Sequence, residues 1–286
     1  MSGGAANGFE RLREQMVERQ VRARGVTSAP VLRAMRTVRR EGYVPSYLGE
    51  FAYEDSPLPI EAEQTISQPY IVGFMIEAMG LRGGERVLEI GTGSGYAAAV
   101  LGEIAGEVYT IERHARLAAI ATERLARDGY RNVHVRCGDG TLGWPEMAPF
   151  AAIVVAAGGP RVPEALKQQL AIGGRLVIPI GDAAGHQQLV RVTRTGQERW
   201  HEVVLANVRF VPLIGAEGWR KPAGETVAEP VSTPIANVVA VRAEPFASPE
   251  NVDLAPLLRR IGQARVVLLG EATHGTAEFY RFRASW

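Results

Sequence analysis

The chain is 286 residues long, with 46% hydrophobic and 22% charged side chains, a balance that excludes disorder throughout and fits one large α/β domain plus an appendage. Lys and Arg number 32 against 31 Asp and Glu, a net charge of +1, so no global charge draws it to nucleic acid or an anionic membrane. A single cysteine, Cys137, and five scattered histidines exclude an intrachain disulfide framework and argue against a metal site.

The first residues lack a basic segment followed by an apolar one, and no stretch reaches the ~20 apolar residues of a membrane span. A cytoplasmic location, with no membrane partner, is the expectation. Residues 10–40 read as two helical segments, with Leu12, Met16, Val17 and Val21 at helical spacing and then Val31, Leu32, Met35 and Val38 after Pro30. Nine Arg against Glu14 and Glu18 in residues 11–40 are read as a solvated helix face, not a nucleic-acid patch. The stretch 42–69, with Pro45, Pro57, Pro59 and Pro69, reads as a long loop of the kind that carries function.

From Gly84 to Ile180 strand-like runs at 86–91, 107–112, 133–138, 151–157 and 175–180 alternate with helical stretches at 96–105, 114–128 and 163–171. This alternation predicts βαβ units and a doubly wound, mostly parallel sheet. Two further runs, 188–193 and 201–212, flank a turn around Thr195-Gly196 and predict an antiparallel pair at one edge. Residues 222–250, with five prolines and no helical period, read as a linker. A short amphipathic helix (Leu254 to Ile261) and a strand (Arg265 to Gly270) are expected beyond it.

Chemistry concentrates at Arg86-Val-Leu-Glu-Ile-Gly-Thr-Gly-Ser-Gly-Tyr96, an apolar strand running into a glycine turn that opens a helix. Gly91, Gly93 and Gly95 let the backbone approach a ligand, and free N–H groups at the helix start attract its anionic end. Glu112, 21 residues after Gly91, ends the next strand, where a carboxylate accepts hydrogen bonds from ribose hydroxyls. A dinucleotide fingerprint needs glycine where Tyr96 stands, and a hydrolase elbow around Ser94 needs glycine in place of Thr92 and Tyr96. Asp139-Gly140, ending the third strand, suits an adenine amino group, and Glu89 could meet an ammonium. Three carboxylates about a glycine turn suit a cation such as S-adenosylmethionine better than a polyphosphate.

The segment Gln64-Thr-Ile-Ser-Gln-Pro-Tyr70, standing before that glycine turn, resembles the signature of protein-L-isoaspartate O-methyltransferases. The resemblance spans about residues 9–220 and includes Met16-Val-Glu-Arg-Gln20, Gly42-Tyr-Val-Pro45, Ala52-Tyr-Glu-Asp55, Pro57-Leu-Pro59 and Val208-Arg-Phe-Val-Pro-Leu213. It implies a Rossmann-like class I methyltransferase domain over 1–221 that moves the S-adenosylmethionine methyl group to the free carboxylate of isoaspartyl residues in damaged proteins and peptides. It further implies Ser67 as the residue that orients the acceptor, and a cofactor shell of Thr65, Ile66, Ser67, Glu89, Gly91, Gly93, Ser94, Gly95, Glu112, Asp139 and Gly140. Two positions depart from the family pattern: Ala157-Gly-Gly-Pro160 replaces an alanine-rich turn, and Ile214 stands where some relatives have a polar side chain.

Leu268-Leu-Gly-Glu-Ala-Thr-His-Gly-Thr-Ala-Glu-Phe-Tyr280 resembles the first motif of erythromycin-esterase-like hydrolases, with Glu271 and His274 as its active-site residues. Residues 251–286 are too few for that domain, so a truncated fragment is expected. Three other readings stand beside the isoaspartyl methyltransferase: a methyltransferase with another acceptor, a non-catalytic cofactor or peptide binding module, and an esterase. The sequence says nothing of oligomeric state.

Overall fold

The computed structural model describes residues 3–182 and 186–220. The expected linker, helix, strand and hydrolase-like motif of 222–286 lie outside the described residues.

Helix α1 (Gly3–Gln15) runs into a π-helical turn (Met16–Val21) and a 3-10 turn (Arg22–Arg24). Helix α2 (Ala29–Thr37) follows, with Pro30 in its first turn, where a missing N–H is harmless. The two predicted helical segments are thus present, and their apolar stripes (Met16, Val17, Val21, Val31, Leu32, Met35) are buried. Glu18 pairs with Arg22 and Arg36, Glu14 with Arg36, and Asp55 with Arg24, which disperses part of the basic run.

The stretch 42–69 is more ordered than a loop. It contains 3-10 turns at Arg40–Tyr43 and Ser46–Phe51 and a small hairpin of β1 (Leu58–Pro59) and β2 (Thr65–Ile66), registered Leu58 with Ile66. Tyr43, Leu48, Phe51, Leu58 and Ile60 anchor it in the core. Helix α3 (Pro69–Met79) was not expected. Its signals were Pro69 in the first turn and Gly80, left-handed at φ 65°, which the prolines just upstream obscured.

The main sheet has seven strands: β3 (Arg86–Ile90), β4 (Glu107–Glu112), β5 (Val133–Cys137), β6 (Phe150–Val155), β7 (Leu170–Gly181), β8 (Gln187–Gly196) and β9 (Arg199–Val208). Their order is β5-β4-β3-β6-β7-β8-β9; the first five are parallel and β8 is antiparallel to both neighbours. This is the doubly wound sheet with an antiparallel edge that the pattern predicted. Helices α4 (Tyr96–Gly102), α5 (Ala115–Arg127) and α6 (Glu164–Gln168) complete the crossovers. Because side chains alternate across a strand, Leu88 and Ile90 join Ile111, Phe150, Ile153 and Leu176 in one apolar cluster, while Glu89 and its register partner Thr110 lie on the other face.

Two strand boundaries differ most from expectation. Strand β7 starts at Leu170, not 175, because Gly173 at φ 84° lets the chain bulge and resume pairing. Strand β9 ends at Val208, not 212: the Gln187 side chain takes the N–H of Phe210 at 2.7 Å and donates to its carbonyl at 3.1 Å, and Pro212 has no N–H for a ladder. Residues 209–219 therefore leave the sheet as a strap. Among the described residues no helix is long and apolar enough to cross a membrane.

Candidate active site

Strand order reverses between β3 and β6, and in doubly wound sheets ligands bind outside the carboxyl ends of the strands at that point. A cleft of about 830 Å³, its open mouth included, lies there. Three walls form it: the ends of β3, β4 and β6, the β2 segment Gln64–Ser67, and the strap residues Val211–Ile214.

The first wall is the glycine turn. Gly91, Gly93 and Gly95 have φ of 93°, 52° and 92°, which side-chain-bearing residues rarely adopt. Gly91 donates to the Ile111 carbonyl at 2.8 Å. The Glu112 carboxylate, 4% exposed, accepts from the backbone N–H of Gly93 and of His114, both at 2.9 Å. Each of its oxygens keeps a further acceptor site, and the residue lines the cleft.

Glu89 and Asp139 stand one layer back; neither lines the cleft. Glu89 accepts from the Thr110 hydroxyl at 2.6 Å, which in turn lies 2.6 Å from the hydroxyl of Thr92, a lining residue. Burial pushes the Glu89 carboxyl up to about 8; the Thr110 bond opposes this and the nearby Glu112 charge adds to it. Asp139 accepts from the N–H and hydroxyl of Thr141, at 2.9 and 2.7 Å, and from the N–H of Ala216 at 2.7 Å. It therefore fastens the strap to the sheet end. Gly140, beside it, does line the cleft, and a Cβ there would collide with Ile90.

The second wall brings in Thr65, Ile66 and Ser67. Ser67 is half-buried, and its carbonyl accepts from Arg40 at 2.9 Å. The hairpin turn that delivers this segment holds Ala62 and Glu63 at φ 57° and 56° and is pinned by Glu61 to Arg124 at 3.4 Å. Of the predicted site residues, Thr65, Ile66, Ser67, Gly91, Gly93, Ser94, Glu112 and Gly140 meet at the cleft, whereas Glu89, Gly95 and Asp139 do not line it. Gly95 starts α4 as its N-cap.

The third wall holds the two departures from the family pattern. Gly158 exchanges backbone hydrogen bonds with Val211 and Leu213, both at 2.8 Å, and accepts from the Trp219 indole at 2.9 Å. A Cβ on Gly158 would lie 2.5 Å from the Gln187 amide nitrogen, so a side chain there would displace the amide that holds Phe210 of the strap. Ile214 contributes an apolar lining group. Sequence reasoning missed Arg40, Tyr96 and Arg113. Arg113 adjoins Glu112 and was open to inspection, but nothing in the run of arginines singled out Arg40.

The protein-L-isoaspartate(D-aspartate) O-methyltransferase family (PCMT) matches residues 11–218. A protein-L-isoaspartate O-methyltransferase of Rhodopseudomonas palustris is 60% identical over 216 residues, 75% of this chain and 99% of its own length. One from Marinobacter nauticus is 58% identical over 208 residues, 73% of this chain and 95% of its own. Among solved structures, a protein-L-isoaspartate O-methyltransferase aligns with TM-score 0.66 at 32% identity, covering 72% of this chain and 67% of that one. A Plasmodium falciparum chain described as a beta-aspartate methyltransferase, in complex with S-adenosyl-L-homocysteine, aligns with TM-score 0.62 at 26% identity, covering 71% and 98%.

Proposed function

This chain belongs to the protein-L-isoaspartate(D-aspartate) O-methyltransferase family, and we propose that it methylates the free carboxylate of isoaspartyl residues in damaged proteins and peptides, with S-adenosylmethionine as donor. The observation that carries this reading is the convergence of Thr65-Ile66-Ser67 and the glycine turn with Glu112 on one cleft.

The residues present fit the cofactor. Gly91, Gly93 and Gly140 leave backbone bare along the cleft, and Glu112 offers free acceptor sites where ribose hydroxyls would lie. Ser94 and Thr65 add hydroxyls, and Ile66 adds apolar cover. When bound, S-adenosylmethionine supplies a methyl group on a sulfonium sulfur. Glu89 acts through Thr110 and Thr92, Gly95 through the start of α4, and Asp139 through the strap, so these three position the shell.

An isoaspartyl carboxylate is ionised at neutral pH, so no general base is required and the protein's contribution is orientation and exclusion of water. Ser67 donates its hydroxyl hydrogen to one carboxylate oxygen and leaves the other to take the methyl group. Ile66, Tyr96, Leu213 and Ile214 keep water from the reacting atoms. The resulting ester has a better leaving group than the carboxylate. Attack by the neighbouring backbone nitrogen on the ester carbonyl then breaks the C–O bond, releases methanol with the amide proton and closes a succinimide, whose hydrolysis returns some normal aspartyl linkage, which is repair.

The reading includes cytoplasmic action and exposed peptide segments as partners, without nucleic acid or membrane. It takes 1–221 as the methyltransferase domain, 222–250 as a linker, and 251–286 as an erythromycin-esterase-like segment. The test is incubation with methyl-labelled S-adenosylmethionine and paired peptides containing isoaspartate or aspartate. Base-labile label in the isoaspartyl peptide alone supports the reading, and equal labelling of both sinks it.

A further inference from the structure

Arg40 is fully buried, yet it has no carboxylate partner among the described residues. Its Nε donates to the Ala52 carbonyl at 2.7 Å and its Nη2 to the Ser67 carbonyl at 2.9 Å. The guanidinium carbon lies 4.7 Å from the centre of the Tyr96 ring; Nη1 and the Tyr96 hydroxyl are both buried without a well-formed hydrogen bond, and the two side chains interact electrostatically. Both Ser67 and Tyr96 line the cleft.

Burying an ion without a counter-charge is unfavourable unless something else in the working molecule compensates it. Two carbonyls and an aromatic face solvate the guanidinium in part. Desolvation lowers its pKa, but an arginine keeps its proton in a protein. The charged groups that line the cleft are Glu112, whose oxygens already accept from Gly93 and His114, and Arg113. The cleft must admit an anionic acceptor beside Ser67, and a cation stands directly behind that residue's carbonyl.

We propose that Arg40 is a positioning residue for the acceptor: it ties Ser67 to Ala52, fixing where the hydroxyl lies, and its buried charge attracts the isoaspartyl carboxylate. The inference rests on the reading of Ser67 given above. It also accounts for the position of Arg40 at the start of the 3-10 turn Arg40–Tyr43, from which one side chain reaches both Ala52, in the middle of the proline-rich segment, and Ser67, near its end.

The test compares wild type with Arg40→Gln and Arg40→Lys. The readouts are calorimetric affinity for S-adenosylhomocysteine, kcat and KM for an isoaspartyl peptide, and inhibition by a counterpart peptide whose free carboxylate is a carboxamide. Arg40→Gln is expected to raise KM for the charged peptide about tenfold or more, a scale set by loss of one desolvated charge contact, while its Ki for the neutral peptide and its Kd for S-adenosylhomocysteine stay within about threefold. Arg40→Lys keeps the charge and loses one carbonyl, so KM is largely restored and kcat stays several-fold low. Charged and neutral peptides weakened alike in Arg40→Gln, or a lowered melting temperature with kcat and KM unaltered, would overturn the inference. If Arg40→Gln does not fold, Arg40→Lys decides, because wild-type kcat in that variant contradicts the tie to Ser67. Wild-type protein that labels isoaspartyl and aspartyl peptides alike overturns the acceptor reading itself, a result distinct from any variant's.

Discussion

On the sheet side of the cleft, the glycine turn is tied to β4 by Gly91 to Ile111 at 2.8 Å and by Glu112 to Gly93 at 2.9 Å. On the opposite side, Thr65–Ser67 hangs from a hairpin with two-residue strands, a 3.4 Å ion pair and one buried arginine. The first wall is built into the central sheet and the second is not, so the second is expected to open at the lower free energy, which hydrogen exchange would read. On the function proposed above, the difference suits the two ligands: a small cofactor of constant shape wants a preformed cradle, while a segment of varied protein wants a wall that closes on it.

Perturbing the rigid wall has the largest expected effect. Gly91→Val forces a β-branched residue to φ 93° with its Cβ 3.4 Å from that of Ala156. Strain of roughly 1–3 kcal/mol, relaxed in the free protein and restored on binding, converts to a loss of up to about a hundredfold in S-adenosylhomocysteine affinity, measurable by calorimetry. Next comes Glu89→Gln, which tests whether the buried acid behind this wall is neutral. Below its ordinary value of 4.5, Glu89 is protonated in folded and unfolded chains alike. Between 4.5 and about 8 the unfolded chain ionises while the folded one stays neutral, so the stability this group contributes is lost as pH rises. The variant should therefore gain stability over wild type through that window, on the order of a few kcal/mol by pH 8, read from urea melts at pH 5, 7 and 8.5. A constant difference across the three would show that Glu89 is ionised in the folded protein.

The clasp between strap and sheet is next in size. Asp139→Ala removes the acceptor for the Thr141 and Ala216 N–H groups and should cost about 1–2 kcal/mol, with faster hydrogen exchange at Ala216 and Glu217. Unchanged exchange there would show that the clasp does not hold the strap. The smallest effect is expected at the hairpin. Ala62→Gly relieves a left-handed residue at φ 57° and should stabilise by up to about 1 kcal/mol, leaving S-adenosylhomocysteine affinity unaltered. A drop in that affinity would mean that the conformation of the hairpin, and not only its Thr65 and Ile66 side chains, sets cofactor binding.

What was legible in the sequence follows the same division. The glycine turn, Glu112 and the strand alternation are local patterns, because apolar strand, turn and helix must appear in that order along the chain. Thr65–Ser67 was legible as a motif, although nothing local says which wall it forms. The strap, the tie from Asp139 to Ala216 and the burial of Arg40 depend on residues dozens of positions apart, so periodicity carries no trace of them. The place of Asp139 at a strand end is the same whether its carboxylate meets a cofactor or a backbone N–H, so its tie to Ala216 leaves no mark in the sequence. Helix α3 was hidden because Pro69 closes a proline-rich stretch and also opens a helix.

The division of labour between the walls is tested most directly by Ser67→Ala and Glu112→Gln, each measured for S-adenosylhomocysteine affinity and for kcat/KM with an isoaspartyl peptide at saturating S-adenosylmethionine. Ser67→Ala should lower kcat/KM by about tenfold or more, the worth of a hydrogen bond to a charged group, with cofactor affinity within about twofold. Glu112→Gln should weaken cofactor binding by a similar factor and leave kcat/KM at saturation close to wild type. Equal losses of cofactor affinity in both variants would contradict the account.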